Sequence, residues 1–226
     1  MKKYDCFLVV LLSLPSVMLS ANADPFEQIN RVTYNFNKMI DSVAFKPLAK
    51  GYKAVTPDIV EAGVSNFFAN IGDAGTLVNN LLQFKLEDAA VDFARIAFNT
   101  TIGLGGVIDV SSGMGLKKNS EDFGQTLGAW GVPAGPYIVA PFFGPGSFRD
   151  TPASFLPLDA LSYVGHVPTR NVGLGARLIN KRAQFLRYEA LISGDEYIFI
   201  RDAYLGTREQ AVSDGFVNTA FDDDDF

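Results

Sequence analysis

Few side chains of the sequence are suited to covalent chemistry, and their spacing matches no common catalytic motif. His166 is the only histidine, so a Ser-His-Asp hydrolase would have to use it as the base. Ser147 is the one nucleophile we can pair with it, but Arg149 stands where a Gly-x-Ser-x-Gly elbow has its second glycine. A loop position near Pro168 is the simpler interpretation of His166. We predict that the protein is not an enzyme, with a soluble, lipase-like periplasmic hydrolase as an alternative.

Metal ions, cofactors and nucleic acid are not indicated either. Cys6 is the only cysteine and precedes the N-terminal apolar stretch, so cleavage after that stretch leaves no thiolate ligand and no disulfide. A dinucleotide-binding loop is not supported, because the glycines at 103 and 105 are followed by Ile108 at the third glycine position. The formal net charge of −6 argues against a phosphate backbone as the main partner. We predict no metal, no cofactor and no nucleic-acid partner.

Residues 1–23 have the organisation of a secretory signal peptide. A basic start precedes an apolar stretch, residues 7–19, which gives way to Ala21-Asn22-Ala23. This order predicts cleavage near Ala23. A retained membrane anchor is the alternative, although the apolar stretch is shorter than the roughly 20 residues that span a bilayer. No cysteine follows the stretch, so we do not expect N-terminal lipidation.

Apolar residues recur at helical spacing through most of the remaining chain. Asp24 and Glu27 suit a capping box for a first helix, which the period extends to about Lys46. Asp58 opens a second helix in the same way. The predicted apolar faces contain Ile29, Val32, Phe36, Ile40 and Val43 in the first helix, Val60, Val64, Phe67, Phe68 and Ile71 in the second, and Leu86, Ala89, Phe93 and Ile96 in a third. Other faces carry polar residues, among them Asn70, Asn79, Asn80, Asp92 and Arg95.

The helical period returns in the second half of the chain, over residues 174–186 and 197–204, and strand-like alternation is scarce. We therefore predict an all-α protein with one domain over residues 24–215. Residues 216–226 contain four consecutive aspartates, at 222–225, and are predicted to form an acidic, solvated tail.

The most unusual segment is an uncharged stretch between Asp122 and Arg149. Its 26 residues include four prolines and six glycines, so it cannot form one long helix. Within hydrocarbon, irregular backbone is tolerated only where it is buried in protein or lines a cavity, because lipid offers its N–H and C=O groups no partner. The stretch is therefore either a buried core hairpin or the wall of an amphipathic passage.

Seven segments along the chain form a set that one family shares. They are DPFEQINRVTYNFN (24–37), VSNFFANI (64–71), NNLLQ (79–83), NTTIGLGGVIDV (99–110), EDFGQTLGAWGVPAGPY (121–137), GPGSFRD (144–150) and DEYIFIRDAYLGTR (195–208). Together and in this order they span nearly all of residues 24–208. On these segments the chain resembles the VacJ/MlaA family of Gram-negative outer membranes.

The resemblance implies a single helical, ring-like domain embedded in the outer membrane, with the Pro/Gly-rich apolar hairpin lining a central passage. It implies intermembrane phospholipid transport, in which phospholipids misplaced in the outer leaflet are passed to the periplasmic side and lipid asymmetry is maintained. The implied partners are phospholipid, a trimeric outer-membrane porin and a periplasmic phospholipid carrier. Family members commonly carry a lipoprotein signal, whereas this chain has a plain Ala21-Asn22-Ala23 site, which argues against lipid anchoring. A scaffold that only binds porin is a further alternative.

In this interpretation, the uncharged stretch supplies a gate and a wall for the passage. The predicted gate residues are Gly128, Gly131 and Gly135, through their backbone freedom. The predicted wall residues or interfacial anchors are Trp130, Tyr137, Phe142 and Phe143, and ordinary core positions are the alternative for each. The charged residues at its ends, Asp122, Arg149 and Asp150, are either polar ends of a hairpin or contacts to a lipid head group.

Overall fold

The computed structural model describes residues 24–156 and 160–215, so the predicted signal peptide and acidic tail lie outside the described residues. Most of the described chain is helical, which confirms the predicted fold class. The α-helices are α1 (Glu27–Ile40), α2 (Lys46–Val55), α3 (Asp58–Leu82), α4 (Leu86–Thr101), α5 (Val110–Gly113), α6 (Phe123–Ala129), α7 (Asp150–Ala153), α8 (Val167–Phe185) and α9 (Glu196–Val212). A π-helical turn covers Asp41–Phe45, and 3-10 helices cover Ala160–Tyr163 and Leu186–Leu191.

The helix α1, the π-helical turn and α2 form one uninterrupted rod. The predicted end of the first helix near Lys46 is wrong, because the chain stays helical to Val55. Pro47 would normally interrupt a helix, since it lacks the N–H group that bonds four residues back. The π-helical turn directly precedes Pro47, so the regular bonding pattern is already altered there.

The start of α1 also differs from the predicted capping box. No side chain caps the first turn, and Glu27 instead pairs with Arg31 one turn later, with 2.7 Å between Oε1 and Nε. Asp24 is buried and accepts a 2.8 Å hydrogen bond from the Asn30 side chain and another from the Tyr197 hydroxyl of α9. Asp24 therefore links the first long helix to the last one.

The helices α3 and α4 pack side by side as a helical hairpin. Their polar faces point inward and much of their apolar surface points outward, although Phe68 and Ala89 are buried. On α4, Asp92 and Arg95 are each 1% exposed, whereas Leu86 and Phe93 are each 66% exposed. The period predicted for these helices is therefore correct, but the faces that bury most completely are the polar ones.

The uncharged stretch contains a helix and a strand hairpin. Its first residues form α6, which Asp122 caps by accepting a 2.9 Å hydrogen bond from the Gln125 N–H. Its later residues form an antiparallel pair, β1 (Tyr137–Ala140) and β2 (Gly144–Ser147), with Tyr137 opposite Ser147. The predicted hairpin is present, and it is more regular than expected.

A small aromatic core lies where β1 meets the first and last helices. Tyr137 and Val139 of β1 pack against Tyr197 of α9, with Tyr34 of α1 and Tyr204 of α9 at the margin. Tyr137 is 1% exposed, so the prediction that it forms a passage wall is wrong and the core alternative applies. The hairpin is thus held between α1 and α9.

Candidate functional site

Large apolar side chains cover much of the exterior of the described chain. On α1, Ile29 and Val32 are 67% and 70% exposed, and on α2, Val55 is 81% exposed. Soluble monomers rarely expose contiguous apolar patches larger than about a few hundred Å², and larger ones mark interaction or membrane sites. In residues 24–156 and 160–215, no helix is long and apolar enough to cross a membrane.

Charged side chains occupy the space between α3 and α4. Arg95 of α4 donates a 3.1 Å hydrogen bond to Asp109 and lies 3.7 Å from the Asp73 carboxylate of α3. Lys118 pairs with the other oxygen of Asp73. Removing one partner of a buried ion pair leaves an uncompensated charge, which is strongly destabilising. This network therefore fixes α3 and α4 in one arrangement.

An open cavity of about 580 Å³ is lined by residues of α3, α6, the hairpin, α7, α8 and α9. Its volume lies within the roughly 300–1,000 Å³ that is usual for small-molecule sites. Phe143 and Leu156 contribute apolar surface, and the charged lining residues are three cations, Arg177, Lys181 and Arg208, and three acids, Glu121, Asp122 and Asp150. The wall is therefore amphipathic, with both apolar and charged surface.

One side of the cavity is a cluster of ion pairs around Arg208 of α9. Its guanidinium bonds both oxygens of Asp122, at 2.6 and 2.7 Å, and both oxygens of Asp150, at 2.9 Å each. Asp150 also accepts hydrogen bonds from Arg149 at 2.8 Å and from the Tyr204 hydroxyl at 2.7 Å. These contacts join the two ends of the uncharged stretch to the last helix.

The electrostatics of the cluster follow from these contacts. Burial by itself would raise the pKa of Asp150, but the hydrogen bonds from Arg208, Arg149 and Tyr204 together outweigh it and hold that pKa well below its ordinary value. The pKa of Asp122 is lowered in the same way, chiefly by Arg208 against the effect of burial. The cluster is therefore ionised and mutually paired.

The three charged residues predicted at the ends of the stretch are thus brought together by the structure. Asp122 and Asp150 lie at the cavity wall, with their oxygens already occupied by arginine. Arg149 is buried behind them and donates to Asp150 and to the Val132 carbonyl. This geometry favours the interpretation as polar ends of the hairpin.

Two cations of the wall, Arg177 and Lys181 of α8, were missed by the sequence analysis. They are four residues apart and therefore share one helix face. Arg177 lies beside Gly72 of α3, with its Nη2 3.8 Å from the position of a Cβ at residue 72. A signal was available, since the sequence of α8 contains four basic residues and no acidic one.

The predicted wall aromatics occupy different environments. Phe143 is 60% exposed, contributes to the cavity wall and packs against Phe155 with ring centroids 4.8 Å apart. Phe142 is 72% exposed and faces α1 instead, with its ring 5.5 Å from that of Phe36. Trp130 is half exposed and donates from its indole nitrogen to the Leu82 carbonyl at 3.1 Å.

The three predicted gate glycines also differ. A Cβ at Gly128 would lie 2.6 Å from Val212 and 2.8 Å from Arg149, so this glycine is required for close packing, and the packing opposes hinge motion there. Gly131 and Gly135 have φ values of +85° and +70°, which favour glycine. They flank the connection between α6 and β1, where a backbone hinge of the hairpin would lie.

The only pairing available for hydrolysis is not assembled for it. Ser147 is buried, and its hydroxyl accepts a 3.0 Å hydrogen bond from the Asp150 N–H. His166 lies in the loop before α8, as predicted, and caps that helix: its Nδ1 accepts from the Thr169 N–H and lies 2.7 Å from the Thr169 hydroxyl. Each side chain has a structural hydrogen bond of its own.

The fold and the cavity define a class of protein: a helical chain with a polar, charged interior, an apolar exterior and a strand hairpin at the edge of an amphipathic cavity. The chain was compared with known protein families, and one of them matches most of its length. The family described as MlaA lipoprotein matches residues 22–211. The chain belongs to this family, which confirms the resemblance found in the sequence.

Individual relatives agree with this assignment. The intermembrane phospholipid transport system lipoprotein MlaA of Escherichia coli K12 is 35% identical over 195 residues, covering 80% of this chain and 75% of that protein. An uncharacterized protein of Rickettsia typhi is 35% identical over 195 residues, covering 84% and 78%. A solved structure described as the structural basis for maintenance of bacterial outer membrane lipid asymmetry matches with a TM-score of 0.72 at 31% identity, covering 84% of this chain and 98% of that one.

Proposed function

We propose that the protein acts in intermembrane phospholipid transport, removing misplaced phospholipids from the outer leaflet of the outer membrane and passing them to the periplasmic side. The observation that carries this proposal is the amphipathic cavity within a molecule whose exterior is apolar. Membership of the MlaA lipoprotein family and the name of the Escherichia coli relative, an intermembrane phospholipid transport system lipoprotein, support the same conclusion.

The energetics require a shielded route of this kind. Burying one methylene group is worth about 0.8 kcal/mol, so exposing two acyl chains to water costs on the order of 20 kcal/mol. A cavity with both apolar and cationic wall residues lowers this barrier, because acyl groups and the phosphate each find compatible surface. No chemical step is needed, so the protein is not an enzyme, and direction comes from the affinity of downstream carriers.

The apolar exterior supports embedding in the outer membrane. Side chains such as Ile29, Val32 and Leu48 would be in contact with lipid, and the buried polar faces of α3 and α4 would be shielded from it. The helices would then form the ring-like body and surround the passage. Export through the predicted signal peptide and cleavage near Ala23 complete the proposed localisation.

Within the site, each group has a distinct part. Arg177 and Lys181 are the cavity-wall cations that we assign to the phosphate of the head group, because arginine and lysine form charge-assisted hydrogen bonds with phosphate. Phe143 contacts acyl chains at the hairpin side of the cavity. Gly131 and Gly135 permit hairpin movement, whereas Trp130 and Phe142 contact the surrounding lipid or the neighbouring helices. A trimeric porin and a periplasmic phospholipid carrier are the proposed protein partners.

The head-group assignment is tested with Lys181→Glu in cells whose only copy of the protein is the variant. Reversal of the charge should raise the amount of phospholipid in the outer leaflet several-fold, measured by enzymatic labelling of surface-exposed phospholipid. Lys50→Glu is the matched control, since Lys50 is another exposed lysine on a helix and is not part of the cavity wall.

Two results would contradict the proposal. The first is recovery of the mature wild-type protein in the soluble periplasmic fraction without detergent, which is incompatible with embedding. The second is unchanged lipid asymmetry when the protein is absent. If only Lys181→Glu has no effect, the head-group assignment fails while transport itself remains supported.

A further inference from the structure

Two asparagines of α1 complete the hydrogen bonding of β1 along its edge. The Asn30 side chain donates to the Tyr137 carbonyl at 3.1 Å and accepts from the Val139 N–H at 2.9 Å. The Asn37 side chain donates to the Ala140 carbonyl at 3.0 Å and accepts from the Phe142 N–H at 2.8 Å. Each amide thus takes the place of a neighbouring strand.

The spacing of the two asparagines matches the strand. Seven residues of α-helix rise by about 10.5 Å and return to the same face. Asn30 bonds positions 137 and 139, and Asn37 bonds positions 140 and 142. The second pair is offset from the first by three residues, which is about 10 Å of β-strand. Helix α1 therefore runs along β1 and reaches it with the Asn30 amide at the start of the strand and with the Asn37 amide at its end.

The two contacts have different surroundings. Asn30 is buried and also bonds Asp24, so it belongs to the fixed core. Asn37 is only partly buried and holds the turn of the hairpin at Phe142. Phe142 has a φ of +67°, a left-handed conformation that a bulky side chain adopts only when its surroundings impose it.

The turn of the hairpin is also where the site begins. Phe142 packs on Phe36 of α1, and the next residue, Phe143, turns to the cavity wall and packs on Phe155. A backbone change at Phe142 therefore moves Phe143 relative to the cavity. Release of the Asn37 contact would remove the restraint on the strained residue and let this part of the wall open.

We propose that Asn37 is a positioning residue for lipid passage, because its amide latches the strained turn at Phe142 onto α1 and so holds Phe143 in the cavity wall. This inference rests on the proposed transport function. Asn37 acts through the hairpin and does not itself touch the lipid. The neutral amide-to-backbone contacts are weak enough to break and re-form during transport.

The test compares Asn37→Ala with Asn35→Ala in the full-length protein reconstituted in phospholipid vesicles. Asn35 is an exposed asparagine on the same helix and controls for the loss of an amide. Hydrogen exchange measured by mass spectrometry reports on peptides that contain Phe142. We expect Asn37→Ala to speed exchange at this turn about tenfold, the factor that corresponds to one hydrogen bond, and Asn35→Ala to leave it unchanged.

Transport is measured on the same samples as movement of a fluorescent phospholipid between leaflets. Asn37→Ala should change the transport rate several-fold while exchange in α3 and α4 stays as in the wild type, which rules out general unfolding. Asn37→Asp keeps the acceptor for the Phe142 N–H and loses the donor to Ala140, so its exchange and transport should lie between those of the wild type and Asn37→Ala.

The outcomes separate the latch from the function on which it rests. Unchanged exchange at Phe142 in Asn37→Ala overturns the latch, and so does faster exchange with an unchanged transport rate. A wild-type protein that moves no phospholipid overturns the proposed function, and the inference about transport falls with it. Transport by the wild type that Asn37→Ala leaves unaltered removes the latch alone.

Discussion

The α3–α4 pair and the β1–β2 hairpin are held in place by different interactions. Between α3 and α4, buried ion pairs join Asp73, Arg95 and Asp109. The ends of the uncharged stretch are joined to α9 by the Arg208 ion pairs, but the turn of the hairpin is attached to α1 by the neutral Asn37 amide and by the contact between the exposed rings of Phe142 and Phe36. A buried ion pair is hard to break singly, whereas a neutral hydrogen bond contributes only about 0.5–1.5 kcal/mol.

This difference assigns separate tasks to the two regions. The charged interior of the helical pair gives a frame that keeps one arrangement even when its outer faces meet lipid. The hairpin is connected through Gly131 and Gly135 and carries Phe143 into the cavity. The molecule therefore combines a fixed frame with a part of the wall that can move.

The largest expected effect is on the frame, from Arg95→Ala. The substitution leaves Asp73 and Asp109 without their buried partner, so the free energy of unfolding should fall by about 3–5 kcal/mol, measured by denaturant unfolding in detergent. Arg187→Ala is the control, since Arg187 is exposed and lies 4.8 Å from the Tyr188 ring, a contact worth about 0.5–1 kcal/mol. Equal losses in the two variants would contradict a charged frame.

A smaller effect is expected at the hinge, from Gly131→Val compared with Gly115→Val. Both glycines have positive φ, +85° and +83°, and open space where a Cβ would stand. Each variant should lose about 1–2 kcal/mol from backbone strain. Only Gly131→Val should raise outer-leaflet phospholipid at normal protein abundance. Equal lipid phenotypes would remove the hinge from the proposal.

The ion-pair cluster at the ends of the uncharged stretch should respond to pH. Since the folded pKa of Asp150 lies below its ordinary value of 3.8, the stabilisation is present above about pH 4 and is lost as the pH falls through the folded value. Asp150→Asn should therefore be less stable than the wild type at pH 7, and the gap should narrow in acid. Thermal unfolding of the variant and the wild type, at pH 7 and in acid, measures this difference in stability. Asp202→Asn is the control, because Asp202 is more exposed.

The smallest effect concerns Trp130, which is the only tryptophan and is 53% exposed. Its emission should shift to shorter wavelength when the detergent-free protein inserts into vesicles, and brominated acyl chains should quench it. The matched measurement uses Trp130→Phe to define the background. Emission that stays at the position of a water-exposed indole would place this end of the hairpin region outside lipid.

Much of the fold could be predicted from the sequence because helices impose a strict period. The faces containing Phe93 and Arg95 were separated correctly, and the prolines and glycines after Asp122 predicted a break and a hairpin. The resemblance to the family came from segments in order along the chain. The prediction of the helix caps was less accurate. Asp24 bonds Tyr197, which is distant in the sequence, and no local pattern reveals that contact.

The candidate site was harder to predict. A helical period gives the angle between two faces but not which face meets the interior, so the burial of Asp92 could not be read from it. The contact of Asn37 with Phe142 joins residues 105 apart in the sequence. Lys181 was overlooked because the basic residues of α8 are spread over several turns and form no dense run.

The π-helical turn between α1 and α2 has a further consequence. Exposed Ile29, Val32, Phe36, Met39 and Val43 follow one another by three or four residues, but Leu48 comes after five. In a regular α-helix a five-residue step would rotate Leu48 by about 140° from Val43. The wider turn takes up the additional residue and restores alignment. The rod therefore has one continuous apolar edge along its length. The π-helical turn that accommodates Pro47 also keeps this edge unbroken.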